Sequence, residues 1–102
     1  MTIDDVAVVA ASLTGVRHSV TKGRSEWRYH GRLVARQLDG ATLVVRCGFE
    51  QRDLLLRRHP DTFSVPTRFA KHRMIVCDLA RGDAGAIEDA LHAAWELQRR
   101  ND

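Results

Sequence analysis

The dipeptide Asp39-Gly40 separates two short runs of strand-forming residues, at positions 33–38 and 42–47. Asp-Gly between two such runs is a strong signal for a β-hairpin, because both residues suit the backbone angles of a tight turn. A third run of aromatic and polar residues, at positions 26–30, precedes these two along the chain. The sequence therefore predicts an antiparallel meander of consecutive strands.

Helical patterns lie on both sides of this strand-rich stretch. Apolar residues recur at helical spacing over residues 3–13, and Thr2 followed by Asp5 matches a capping box. The remaining predicted elements are two helices, over residues 50–58 and 84–99, and one strand, over residues 74–79. This order of elements predicts an α+β fold in a single domain, residues 1–102.

The third predicted helix follows Asp83, whose short carboxylate side chain suits an N-cap. Its apolar stripe consists of Ala84, Ile87, Leu91, Ala94 and Trp95. Trp95 is therefore predicted to be a core residue. Between the second helix and the last strand, residues 61–72 show no regular pattern and are predicted to form a loop.

The basic residues are concentrated in two segments of the chain. Residues 17–36 have a net charge of +5, with Glu26 as their acid, whereas the whole chain has +3. Residues 57–81 have a net charge of +4, and the two terminal segments are acidic. If both basic segments lie on one side of the folded domain, they form a cationic surface typical of nucleic-acid binding. The alternative is a solvated sheet face whose arginine stems cover apolar residues.

Trp27 and Tyr29 lie inside the first basic segment and share one face of their strand, opposite Arg28 and His30. Aromatic side chains in a basic surface stack on exposed bases in proteins that bind single strands. Aromatic residues at alternate strand positions also pack in the core of a sheet, which is the more common arrangement. The sequence leaves both interpretations open for these two residues.

Cys47 and Cys77 are isolated in apolar runs and are interpreted as buried thiols of a cytoplasmic protein. A disulfide between them would require their strands to be neighbours. The histidines stand at none of the usual metal-ligand spacings, and neither a nucleophile elbow nor a phosphate-binding glycine loop is present. We therefore expect no enzyme activity, no bound metal and no cofactor.

No run of 18 or more apolar residues occurs, so no transmembrane helix is expected. Asp4 and Asp5 stand where a signal peptide would carry basic residues, which argues against such a peptide. We expect a cytoplasmic protein with no membrane partner, and a monomer is favoured.

Several short motifs follow one another along the chain. They are Asp-Asp-Val at 4–6, Leu-Thr-Gly-Val at 13–16, Trp27, Gly31-Arg32, Ala35-Arg36, Phe-Glu-Gln-Arg-Asp-Leu-Leu at 49–55, Pro-Asp-Thr-Phe at 60–63, Asp-Ala-Leu at 89–91 and Ala94-Trp95. In this order and spacing the chain resembles the MmcQ/YjbR family of small bacterial proteins. The resemblance covers nearly all 102 residues.

The resemblance implies a fold related to the frataxin (CyaY-like) arrangement. Terminal helices would then cover one face of an antiparallel meander, with a short helix between strands. Members of the family are commonly described as DNA-binding, with a hairpin and a loop acting as two wings. Where many relatives have a histidine in the loop, this chain has Arg68 beside Phe69, which keeps a cation at that position.

The function predicted from these observations is that of a non-catalytic DNA-binding protein. The predicted contacts to phosphates are Lys22, Arg24, Arg28 and Arg32 on the first wing, and Arg68, Lys71 and Arg73 on the second. The alternative is a protein- or small-anion-interaction module, with a groove lined by Phe63, Pro66 and Phe69. A frataxin-like metal role is disfavoured, because the first helix offers just Asp4 and Asp5 as acids.

Overall fold

The computed structural model describes residues 1–100, so the last two residues of the predicted domain 1–102 lie outside the described residues. The helices are α1 (Ile3–Ala11), α2 (Phe49–Arg58) and α3 (Ala84–Arg99). The strands are β1 (Val16–Thr21), β2 (Arg24–Tyr29), β3 (Arg32–Asp39), β4 (Thr42–Arg46), β5 (Phe63–Ser64) and β6 (Met74–Asp78). Within the described range they form one antiparallel sheet in the order β1-β2-β3-β4-β6-β5, which confirms the predicted α+β fold.

Two-residue turns join the first three strands. Lys22 and Gly23 connect β1 to β2, while His30 and Gly31 connect β2 to β3, and all four have positive φ. Two consecutive residues of positive φ match the twist of paired antiparallel strands, and glycine adopts that conformation without strain. These turns make the meander a stack of tight hairpins.

Two local signals read from the sequence are confirmed. The Thr2 hydroxyl accepts a hydrogen bond from the Asp5 N–H at 3.2 Å, and the Asp5 carboxylate accepts from the Thr2 N–H at 2.8 Å, which completes the capping box. In the third hairpin the Asp39 carboxylate accepts from the Ala41 N–H at 3.0 Å and stabilises the turn into β4.

Helices α1 and α3 cover one face of the sheet, which we call the helix-covered face. Side chains from both helices and from alternate strand positions form the main core there, with Leu55 and Leu56 of α2 packed against it. Its fully buried larger members include Val6, Val34, Leu43, Val45, Ile75, Leu79, Ile87 and Leu91. Burial of these apolar surfaces is the main source of stability for a domain of this size.

The opposite side of the sheet, which we call the open face, has a smaller apolar cluster of its own. Val44 of β4 and Val76 of β6 lie there beneath Phe69, which belongs to a short 3₁₀ turn (Thr67–Phe69). Leu38, Val65 and Met74 pack around this cluster. The 3₁₀ turn therefore covers the open face at β4, β6 and the end of β3, and leaves it bare at β1, β2 and the rest of β3.

The Pro-Asp-Thr-Phe segment fastens β6 to α3. Thr62 is buried, its carbonyl accepts from the Asp78 N–H at 2.9 Å, and its hydroxyl accepts from the Asp83 N–H at 2.9 Å. Asp83 in turn accepts from the Ala86 N–H at 2.8 Å and caps α3 as predicted. This motif has a structural role in the fold.

The sequence pattern misses two strands, β1 and β5, and extends α1 two residues too far. β1 is exposed from Arg17 to Thr21, so it lacks the alternation of buried and exposed residues that marks a strand. β5 has two residues, too few for any pattern. No helix within residues 1–100 is long and apolar enough to cross a membrane.

Trp95, predicted to be a core residue, lies at the margin of the core. Its side chain is half-buried, and its indole N–H donates to the Thr14 carbonyl at 2.9 Å. The Arg99 guanidinium lies 4.3 Å from the ring centroid. Ala84, assigned to the same apolar stripe, is exposed because it stands in the first turn of α3. Trp95 thus ties α3 to the loop before β1 from the margin of the core.

Candidate nucleic-acid interface

The register of the first three strands determines which arginines share the open face. Trp27 points into the main core, so its neighbour Arg28 points to the open face. Residues paired across an antiparallel ladder share a face, and Arg28 is paired with Arg17. By the same reasoning Glu26, paired with Arg36, lies on the open face, and so does Arg24. The bare part of the open face is therefore basic, with Glu26 among the arginines.

Arg28 is held in a fixed orientation on this face. One of its terminal nitrogens donates to Glu26 Oε1 at 3.0 Å, and the other donates to the Gly31 carbonyl at 2.9 Å. The Arg28 side chain is 44% exposed and that of Glu26 is 23% exposed. An exposed pair of this kind adds little to stability, but it orders a guanidinium that faces solvent.

The two basic segments meet at Phe69. The Arg36 guanidinium, from β3, lies 5.8 Å from the centroid of the Phe69 ring. Arg68, from the 3₁₀ turn, lies 4.8 Å from the same centroid. A guanidinium within about 6 Å of an aromatic centroid is attracted by the ring. The hairpin and the loop, predicted separately from the sequence, thus contribute to one continuous basic surface.

The loop keeps its position through Arg52 of α2, which the sequence analysis did not single out. Its guanidinium donates to the carbonyls of His72 at 2.8 Å and Ala70 at 3.0 Å, with longer contacts of 3.4 Å to those of Phe69 and Met74. It also lies 4.8 Å from the centroid of the Phe49 ring. Arg52 therefore closes the loop that carries Arg68, and its partners are backbone carbonyls that leave no signal in the sequence.

The structure brings together some of the predicted contact residues and separates others. Arg24, Arg28 and Arg68 border the open face, and Lys22 lies in the turn at its end. Arg32 is paired with Tyr29, with its guanidinium 5.9 Å from the ring centroid, so it lies on the side of the helix-covered face. Arg73 lies 5.4 Å from the Phe49 ring at the start of α2, and Lys71 is exposed on the loop. Arg32, predicted to lie on the first wing with Arg24 and Arg28, thus lies on the opposite side of the sheet from them. Residues paired across a two-residue turn point to the same side, and its partner Tyr29 packs against the main core.

A polar cleft opens near the end of the β1–β2 hairpin. β2 and β3 pair as far as Glu26 and Arg36, and the next contact is a hydrogen bond from the Ser25 N–H to the side-chain oxygen of Gln37, at 3.1 Å. The strands part at this point and leave a cavity of about 360 Å³. Its lining residues are Thr21, Lys22, Arg24, Ser25, Glu26, Arg36 and Gln37. We call this cavity the hairpin cleft.

The aromatic residues of the hairpin do not form an exposed surface on which bases could stack. Trp27 is 2% exposed, stacks on His18 with ring centroids 5.2 Å apart, and belongs to the main core. Tyr29 is partly buried, and its ring lies so close to Gly15 that a Cβ there would stand 2.7 Å from it. The core interpretation of Trp27 is confirmed.

The groove expected for an interaction module does not form from Phe63, Pro66 and Phe69. Phe63 belongs to the main core on the helix-covered face, whereas Phe69 packs on Val44 and Val76 on the open face. Because the sheet separates the two rings, they cannot line a common groove. An anion-binding module in this chain would have to use a different recess.

The two cysteines are free and buried. Cys77 of β6 is paired with Leu43 of β4. Cys47 lies four residues after Leu43, so it is displaced from Cys77 by about 13 Å along the strand direction. This is too far for a disulfide. Burial raises the pKa of the Cys47 thiol to about 11 and that of Cys77 to about 12, so both are protonated at neutral pH. No cluster of three potential metal ligands occurs among residues 1–100.

Comparisons with known proteins give one structural likeness. No family model matches the chain, and no curated protein matches it. The chain is similar to the crystal structure of the Deinococcus radiodurans protein DR2400, which contains the family-model domain DUF419, with a TM-score of 0.75. The two sequences are 17% identical, and the match covers 94% of this chain and 77% of that one. At this identity the likeness shows a shared fold.

Proposed function

We propose that this protein binds nucleic acid, with DNA as the first candidate, and that it does so without catalysis. The observation that carries the proposal is the bare part of the open face. Arg17, Arg24, Arg28 and Arg36 project from three adjacent strands, and the Phe69 contacts bring Arg68 alongside them. A cluster of guanidiniums on an uncovered sheet matches the spaced negative charges of a phosphate backbone.

The proposed mode of binding is contact with phosphates rather than reading of bases. Guanidinium groups bind phosphate oxygens in a bidentate manner, and such contacts fix position without carrying sequence information. The burial of Trp27 removes the side chain best suited to stack on an unpaired base. We therefore expect weak sequence preference and a strong dependence of affinity on salt.

Membership of the MmcQ/YjbR family belongs to the same proposal. Its support is the order of motifs along the chain, together with a fold shared with a protein of the DUF419 domain, which is related to MmcQ/YjbR-like proteins. A cytoplasmic location is proposed as well, supported by two cysteines that are free and too far apart to pair.

The proposal is tested by fluorescence anisotropy on a generic DNA duplex over a series of salt concentrations. If about five phosphates are neutralised, the logarithm of the affinity should fall against the logarithm of salt with a slope of about −4 to −5. Removing two open-face cations, with Arg17→Gln and Arg28→Gln together, should reduce the steepness by about 2.

The matched control removes the same charge from α2, with Arg57→Gln and Arg58→Gln together. These residues are exposed and lie outside the open face, so the salt slope should stay close to that of the unmodified protein. The proposal fails if the protein does not bind duplex at low salt. It also fails if both double variants lose affinity equally.

A further inference from the structure

The hairpin cleft differs from the rest of the basic surface because it is a recess with donors on several sides. Arg24 and Arg36 line it from two neighbouring strands, and Lys22 lines it from the turn. Its volume, about 360 Å³, lies at the lower end of the range found for small-ligand sites. A recess of this size accommodates a phosphate group together with the sugar that carries it.

One lining residue of the cleft, Gln37, is held by the neighbouring strand. The Gln37 side-chain oxygen accepts the Ser25 N–H at 3.1 Å, which identifies this atom as the carbonyl oxygen of the amide. The amide NH₂ group of Gln37 is consequently oriented by that bond, since the oxygen and nitrogen are held in one plane. Gln37 therefore lines the cleft with an uncharged amide that has two N–H donors.

The charge of the cleft selects among phosphates. Three lining residues are cations and Glu26 is an acid, which leaves +2. A phosphate monoester carries about −1.5 to −2 at pH 7, whereas each internal phosphate of a nucleic-acid chain carries −1. The monoester thus matches the charge of the cleft, and it has one more terminal oxygen for the surrounding donors.

We infer that the hairpin cleft binds a phosphate monoester, and that its source is the terminal phosphate of a nucleic-acid strand. The inference rests on the proposed function, since the open face would hold the adjoining backbone phosphates. A free nucleotide has the same phosphate chemistry but lacks those neighbouring phosphates. A strand that ends in the cleft should consequently bind more tightly than a mononucleotide.

The test compares two single-stranded oligonucleotides of one sequence, one with a 5′-phosphate and one with a 5′-hydroxyl, by anisotropy at low salt. The phosphorylated strand should bind about tenfold more tightly, the value of one additional set of charge-assisted hydrogen bonds. Adenosine monophosphate is then added as a competitor. It should displace the phosphorylated strand only at a concentration well above that strand's own dissociation constant.

Two variants change the cleft in different ways. Arg24→Gln removes a cation. Gln37→Glu keeps an oxygen to accept the Ser25 N–H, but it replaces the NH₂ donors with a second oxygen and adds a negative charge. Both should abolish the preference for the phosphorylated strand. Arg17→Gln removes the same charge from the open face outside the cleft, so it should weaken both oligonucleotides and leave their ratio near tenfold.

Equal binding of the two oligonucleotides by the unmodified protein would overturn this inference and leave the proposed function standing. The same conclusion follows if Arg17→Gln removes the preference as fully as Arg24→Gln does. Displacement by adenosine monophosphate at the oligonucleotide's own dissociation constant would overturn the assignment to a strand end. If neither oligonucleotide nor duplex binds at low salt, the proposed function fails together with the inference.

Discussion

Trp27 and Arg28 are neighbours on β2 and point to opposite faces of the sheet. Trp27 is 2% exposed and packs among the side chains that α1 and α3 cover. Arg28 contacts Glu26 and the Gly31 carbonyl at the surface, and its side chain is 44% exposed. One face holds the main core and the other holds the charge, although both are made from the same strands.

Residues that stabilise the core and residues that carry the charge therefore alternate along these strands. A strand places successive side chains on opposite faces, so a substitution at one position leaves the chemistry of the other face in place. The separation is incomplete at β4 and β6, where Val44 and Val76 give the open face a small core under Phe69. Substitutions on each face measure how far the two faces are energetically independent.

Trp27→Ala should lower the free energy of unfolding by about 3–5 kcal/mol, because it opens a large cavity beside α1. Arg28→Ala, one residue further on, should change it by less than about 0.5 kcal/mol. Urea denaturation of the two variants and the unmodified protein provides the measurement. Similar losses in both variants would show that the faces are not energetically separate.

Arg52→Lys should lower the free energy of unfolding by about 2 kcal/mol, since lysine keeps the charge but cannot reach several carbonyls with one planar group. The loss should be accompanied by faster amide hydrogen exchange around residues 69–74, because the loop is no longer closed. Arg57→Lys on the exposed side of α2 is the control. Unchanged exchange in that loop would contradict the role assigned to Arg52.

Phe69→Leu should lower the free energy of unfolding by about 1 kcal/mol, because leucine fills most of the same space over Val44 and Val76. It should also weaken DNA binding about twofold to threefold, since Arg36 and Arg68 lose the aromatic ring that both contact. Thermal melting and anisotropy measure the two effects. A change in stability with no change in binding would separate the small core from the basic surface.

Asp5→Asn should have the smallest effect, and one that depends on pH. The Thr2 N–H donates to the Asp5 carboxylate and lowers the pKa of this exposed group below its usual 3.8. The folded pKa is thus below the unfolded one, so the carboxylate stabilises the fold above pH 4 and the contribution is lost as pH falls through the folded pKa.

The difference in melting temperature between the unmodified protein and Asp5→Asn should consequently shrink as the pH is lowered from 6 to below 3. The pKa of Asp39 is also lowered, chiefly by the Ala41 N–H. Because Asp39 is present in both proteins, its titration affects both melting temperatures and cancels in their difference. A difference that stays constant over this range would show that the capping box does not titrate as described.

Local features of the fold could be predicted because their partners are a few residues apart. The capping box of Thr2 and Asp5, the Asp39 hairpin and the Asp83 N-cap all join residues within three positions of each other. Their residue types differ enough from the average to be recognised in one sequence. The segregation of charge into two segments was equally visible, as was the burial of the cysteines.

The arrangement of the candidate interface required the structure. The face occupied by Arg32 depends on its pairing with Tyr29 across a turn, and the meeting of Arg36 with Arg68 depends on where Phe69 packs. Arg52 reaches carbonyls 18 and 20 residues away. Every residue has a backbone carbonyl, so residue types in the sequence do not indicate which carbonyls Arg52 will contact.

The strand order also bears on which strands pair first when the protein folds. β1 to β4 pair with their neighbours through two-residue turns, whereas β6 joins β4 after a connection that contains α2 and the basic loop. Closing a long loop costs more chain entropy than closing a short one, so we expect the four-stranded meander to form in the transition state before β6 docks. Substitutions at Ala35 should then slow folding, while substitutions at Val76 should chiefly speed unfolding. Comparable folding rates for the two would show that β6 is already paired when the barrier is crossed.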